Sequence, residues 1–180
     1  MIMSWREELR IYFEKEDYEQ CTSLLKKELA KSFCDDEDLS LNLMYVYMYM
    51  FMLKKESNTE SQMTFLSKNV QIIYKYIIKK YKKNAKAIFY TAYVASIAEW
   101  LLKLDIEDLN EMHHKAWILE PSNKLYEYGY YLYYLNNHQK ANTIFEEIRN
   151  DETCWQKIKM MSILGDSFIG AMEFFYNRKN

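Results

Sequence analysis

His113 and His114 are the side chains best suited to chemistry, with Asp108 and Glu111 within two turns of them. Imidazole beside carboxylate can ligate a metal or relay a proton. Neither use fits the spacing. Adjacent residues on a helix project in different directions. Chelation from one helix needs histidines at i, i+4, a spacing that His113, His114 and His138 do not supply. Cys21, Cys34 and Cys154 are odd in number and show no paired spacing, which predicts reduced thiols. With 3 Gly there is no glycine-rich phosphate cradle, and no Ser-His-Asp or Cys-His grouping stands out. Carboxylate pairs recur on any charged helix surface, so they identify no glycosidase chemistry. The expectation is a non-catalytic protein without metal or cofactor.

Two charged stretches could bind a partner instead. Lys75 to Lys86, interleaved with Tyr74, Tyr76 and Tyr81, could meet nucleic acid through phosphate contacts and stacking. It contains no Arg and belongs to a chain of net charge −2, so a solvated lysine face is the preferred reading and nucleic acid is disfavoured. Asp35, Asp36, Glu37 and Asp38 open a helix, where four acids complement the dipole. The same acids, Asp35, Asp36 and Asp38 above all, could form a patch for a basic partner. Charge is segregated overall: residues 1–40 hold 11 acids and 6 bases, residues 41–90 hold 2 and 9, and residues 91–180 hold 13 and 9. Such a chain can steer a charged partner to one end.

Helices must position these residues. At 180 residues and 49% apolar content the chain suits one globular domain over 1–180. Only 3 Gly and 1 Pro leave few turn signals, which excludes a β-sandwich. Ser4 and Glu7 form a capping box for a helix from Trp5 to about Lys15. A second helix carries Tyr18, Cys21, Leu24, Leu25 and Leu29, and a third runs from Asp35 to about Lys55. Tyr45 to Phe51 alternates like a strand, yet the apolar segment is too long for one and both flanks are helical, so a central buried helix is expected. After a loop at Ser57–Ser61, a fourth helix runs from Glu60 to Lys82, a fifth from Ala85 to Leu104 and a sixth from Asp105 to Leu119. Pro121 ends the sixth. Two helices meet at Asn136-Asn137, and a ninth spans Asp151 to about Tyr176 with Gly165 and Gly170 inside it. No apolar run is long enough to cross a bilayer, and residues 1–8 carry no apolar signal core, which predicts a cytoplasmic protein.

Gly129 and Ala141 lie twelve residues apart, and Phe145 follows four later. A small residue on each of two helices lets them approach closely, and an aromatic one turn on fills the space beside the contact. This pattern resembles the tetratricopeptide repeat. Ala116 and Pro121 match the end of the preceding repeat, and Trp5, Tyr12 and the turn at Glu16–Glu19 look similar near the N-terminus. Cys21 and Leu25 depart from the pattern there. The likeness is good over 122–150, fair over 5–30 and poor between. It implies an all-α fold of stacked antiparallel helical hairpins, with about nine helices.

Tyr126, Tyr130, Tyr133 and Tyr134 form a stripe at i, i+4, i+7 and i+8. By the resemblance this stripe lines a concave groove, while Leu125, Tyr128, Gly129 and Leu132 pack inside the repeat. The stripe could equally pack against a neighbouring helix. Repeat hairpins of this kind bind proteins. At class level the chain resembles an immunity protein of a bacterial toxin system, which implies one basic toxin partner, a nuclease, and a monomer when free. A chaperone for a secreted protein and a nucleic-acid-binding regulator acting through Lys75–Lys86 are the alternatives.

Overall fold

The computed structural model describes residues 3–53 and 58–178. Among them every regular element is helical. In order they are α1 (Trp5–Glu14), α2 (Tyr18–Lys31), α3 (Glu37–Leu53), α4 (Glu60–Lys80), α5 (Ala85–Ala95), α6 (Glu99–Leu102), α7 (Ile106–Leu119), α8 (Lys124–Gly129), a π turn (Tyr130–Tyr134), α9 (His138–Asn150), α10 (Glu152–Lys159) and α11 (Ile163–Asn177). The expected end of the third helix near Lys55, and Ser57 of the loop, lie outside the described residues.

Local chemistry sets the starts. Ser4 with Glu7, Thr59 with Gln62 and Asp105 with Asp108 form reciprocal capping boxes. Asp17, Asn84, Asn137 and Asp151 each accept a backbone N–H of the turn they open. The helices then pair as hairpins: α1 with α2, α3 with α4, α5 with α7, and α8 plus the π turn with α9. Contacts of α2 with α3, α4 with α5 and α7 with α8 join the hairpins into an all-α stack. The Tyr45–Phe51 segment is helical, within α3, and Met44, Val46, Tyr47 and Met48 are buried there. Its neighbours α2, α4, α5 and α11 cover it from different sides, which is why nearly every position tolerates an apolar residue.

Two expected long helices are each broken in two, so the described chain holds eleven α-helices and not nine. The fifth stops at Ala95, where Ser96 turns its hydroxyl onto the Tyr93 carbonyl at 2.7 Å. The short α6 then docks on α4, with the Gln71 amide donating to the Leu101 carbonyl at 3.0 Å. Lys103 closes α6 in the left-handed region at φ 59°. The ninth breaks at Met160–Ser162, with Ser162 at φ 58°. Periodicity could not reveal this break, because apolar residues continue through it on both sides.

The second break has a large consequence. It lets α11 fold back onto α1, α3 and α9. Phe168 of α11 is fully buried against Phe89, Tyr90 and Tyr93 of α5 and Tyr128 of α8. Burying one such ring contributes about 1.5–3 kcal/mol. The first helices of the hairpins therefore face α11, and the groove expected from the resemblance is filled by the chain itself. A polar clasp joins the two ends. Arg10 pairs with Asp166 at 2.6 Å and donates to the Lys159 carbonyl at 2.6 Å. Arg6 donates to the Met160 carbonyl at 2.6 Å, and the Ser162 hydroxyl returns a hydrogen bond to the Arg6 carbonyl at 2.8 Å. Gly165 permits the fold-back: a Cβ there would lie 1.9 Å from the Ile158 carbonyl oxygen.

Candidate functional site

The repeat-like positions behave as structure. Ala116, Ala141 and Phe145 are buried in the core, and Pro121 follows the end of α7 at the surface. Gly129 sits where a Cβ would meet the Phe89 ring at 2.5 Å and His113 Nδ1 at 3.1 Å. The absent side chain is what lets α8 lie this close to α5 and α7.

Directly after Gly129 the backbone changes register. The Leu135 N–H donates to the Tyr130 carbonyl at 3.0 Å, an i→i+5 bond that widens the turn. The extra residue rotates the following side chains relative to an α-helix, and the tyrosine stripe splits. Tyr126 is buried against Phe89, with centroids 5.2 Å apart. Tyr133 stacks on the buried His113 at 4.3 Å, and burial pushes its hydroxyl pKa well above the usual range. Tyr126 therefore belongs to the core and Tyr133 is partly buried against it, so the four tyrosines do not share one face.

Tyr130 and Tyr134 turn the other way. Tyr130 stacks on Trp117 at 4.2 Å with planes 9° apart, and Tyr134 stacks on His114 at 4.2 Å. His114 also lies 5.3 Å from Tyr130, so four half-buried rings form one block. Its outer side meets solvent. Exposed Ile118 and Leu119 on α7, and Leu135 after the π turn, extend the apolar character of the same elements. Sequence reasoning missed Trp117 and His114 as partners of the stripe. Their i, i+3 spacing places them together on α7, but only the hairpin shows that this face meets the π turn.

The histidine pair divides as adjacent helical residues must. His113 is 2% exposed, its Nδ1 has no hydrogen-bond partner, and burial pushes its pKa down to about 3. His114 points outward toward Glu111 at 3.6 Å. Among the described residues no group of three or more His, Cys, Asp or Glu side chains could hold a metal ion. Cys21, Cys34 and Cys154 are all unpaired. Burial raises the Cys21 thiol to about 12 and pushes Cys154 up as well, so neither thiolate is favoured.

The acidic segment proves to be engaged within the fold. Asp36 accepts the Leu39 N–H at 3.0 Å. Asp38 takes Arg6 on one oxygen at 2.7 Å and Lys86 on the other at 2.7 Å. Asp35 pairs with Lys80 at 2.8 Å, though its own side chain stays largely exposed. The charges that looked like a free patch thus tie α3 to α1, α4 and α5. The same pairs consume Lys80 and Lys86 of the basic stretch, while Lys75, Lys79, Lys82 and Lys83 remain exposed. A different acidic region flanks the aromatic block. Residues 105–127 hold Asp105, Glu107, Asp108, Glu111, Glu120 and Glu127 against Lys115 and Lys124.

Comparison of the chain with protein-family models, with curated proteins and with solved structures finds no match in any of the three. Among the described residues no helix is long and apolar enough to cross a membrane.

Proposed function

We propose that the chain is a non-catalytic protein-binding module whose partner docks on the ring block of Trp117, Tyr130, Tyr134 and His114. The observation that carries this reading is the block itself: four half-buried rings stacked on one another, on elements that also carry exposed aliphatic side chains. Tyr and Trp supply large, rigid contact area at small entropic cost, and a few such residues dominate binding energy. The acidic surroundings favour a basic partner. An immunity protein that covers the active site of a basic bacterial toxin combines these requirements, and it needs no cofactor and acts as a monomer. A chaperone for a secreted protein would use the same block on an unfolded client.

The test is protection. The chain is co-expressed with the toxin-like product of the neighbouring gene, and growth is scored for the wild type and for Trp117→Ala, Tyr130→Ala and Tyr134→Ala. Protection by the wild type, lost in these variants at unchanged melting temperature, is expected, since a hot-spot ring contributes roughly 2 kcal/mol or more. No protection by the wild type, or full protection by all three variants, overturns the proposal.

A further inference from the structure

A second site lies away from the ring block, in a cleft of about 280 Å³ between the start of α3, α5, the start of α8 and α10 with the turn that follows it. Tyr90 and Tyr126 line it. Both are almost completely buried as residues, at 1% and 4% exposure. Neither hydroxyl has a hydrogen-bond partner among the described residues, and neither is sealed from the cleft. Burial raises both phenols far above their ordinary pKa, so they stay protonated and able to donate.

The remaining polar groups are also donors in excess. The carboxylate of Asp38 is spent on both oxygens, by Arg6 and Lys86. Glu37 is likewise taken by Lys86 and the Asn84 amide. Asn123 has committed its side-chain oxygen to the Leu125 N–H at 3.1 Å. Lys86 binds those two carboxylates with its ammonium and keeps a third proton. Lys157, on the α10 wall, has no ion pair among the described residues. The carboxylate and amide oxygens at the cleft are thus each engaged within the protein, while two phenol protons and the Lys157 ammonium have no protein acceptor among the described residues. Of the charged side chains that line the cleft, Lys86 and Lys157 stand against Asp38 alone. Leu125, Ile158, Met160 and Met161 supply an apolar wall.

We infer that this cleft binds a small organic anion, an acceptor-only carboxylate or phosphate head on a short apolar body. The head would accept from the Tyr90 and Tyr126 hydroxyls and face Lys157, and the body would lie on the methionine wall. This goes beyond the protein-binding reading and does not depend on it, because the two sites share no residue.

Binding is read from the methyl signals of Met160 and Met161 in methyl-labelled protein, titrated separately with hexanoate, hexyl phosphate, hexanol and hexylamine. The two anions should shift both methyls saturably, and hexanol and hexylamine should not. The stronger of the two anions tells carboxylate from phosphate. Tyr90→Phe and Tyr126→Phe remove no protein hydrogen bond and should fold normally, as melting temperature will show. Each should weaken anion binding roughly tenfold, the value of one hydrogen bond to a charged acceptor. Lys157→Gln, at an exposed position, should weaken it as well. No shift with either anion, equal shifts with the amine, or undiminished binding in both folded phenylalanine variants overturns the inference.

Discussion

One substitution, glycine to alanine, should have opposite effects at three places in this chain. Gly170 lies inside α11 at the surface, and a Cβ there would meet nothing within 4 Å. Alanine removes backbone freedom from the unfolded chain and should raise stability by about 0.5–1 kcal/mol. Gly129 has ordinary helical angles, so alanine gains the same propensity there. Against that gain, its Cβ would stand 2.5 Å from the Phe89 ring, which Tyr90, His113, Tyr126 and Phe168 hold from several sides. Overpacking costs roughly 1–3 kcal/mol, so the net should be a loss of about 1 kcal/mol. At Gly165 the obstacle is backbone: the Cβ would lie 1.9 Å from the Ile158 carbonyl oxygen and 2.9 Å from its carbon. No rotamer relieves that contact, and α10 must part from α11 at a cost of about 3 kcal/mol. Urea unfolding followed by far-ultraviolet circular dichroism measures all three, and a chain of this size should shift its melting temperature by roughly 2–4 °C per kcal/mol. The order Gly170→Ala, wild type, Gly129→Ala, Gly165→Ala is expected. Gly165→Ala as stable as Gly170→Ala would mean that the α10–α11 fold-back is wrongly drawn.

Three other outcomes follow from named contacts. His113 has its folded pKa pushed down to about 3, against about 6.5 for an unperturbed imidazole, so only the unfolded state gains the proton between these values. Its contribution is complete above pH 6.5 and is lost as pH falls toward 3, at about 1.4 kcal/mol per pH unit for one proton. His113→Leu should flatten the stability profile there by about one proton, and an unchanged slope would remove the histidine from the account. Phe168→Ala should cost about 3–5 kcal/mol and speed amide exchange throughout α11, whereas loss without faster α11 exchange would deny its role as the latch. The acids of the α3 start should separate by role. Asp36→Ala should lose about 1 kcal/mol as a cap, Asp35→Asn should stay within about 1 kcal/mol as an exposed pair, and Asp38→Asn should cost the most, because Arg6 loses its only carboxylate among the described residues and Lys86 is left with Glu37 alone. Equal effects in denaturant would return all three to a common solvent-facing patch.

Local chemistry alone determined much of this chain. The capping side chains at Ser4, Asp105 and Asn137 and the full apolar surround of α3 make helices, and the small residues at Gly129 and Ala141 let two of them approach. Caps and periodicity act over a few residues, so they are legible in the sequence. What Tyr130, Tyr133 and Tyr134 do was not legible, because one i→i+5 turn re-aims everything after Gly129, and Tyr126 is buried by Phe89, which lies 37 residues earlier in the chain. The acidic segment misled for a different reason. Its partners Arg6, Lys80 and Lys86 lie 32 to 49 residues away in the chain, and charge counted along a sequence does not reveal pairing across a fold. The fold-back of α11 needed the tertiary structure most of all. Apolar residues run through the break at Met160–Ser162 as they would through a straight helix. Only the competition for one buried surface, won when Phe168 reached the rings of α5 and α8, decided which way the chain turned.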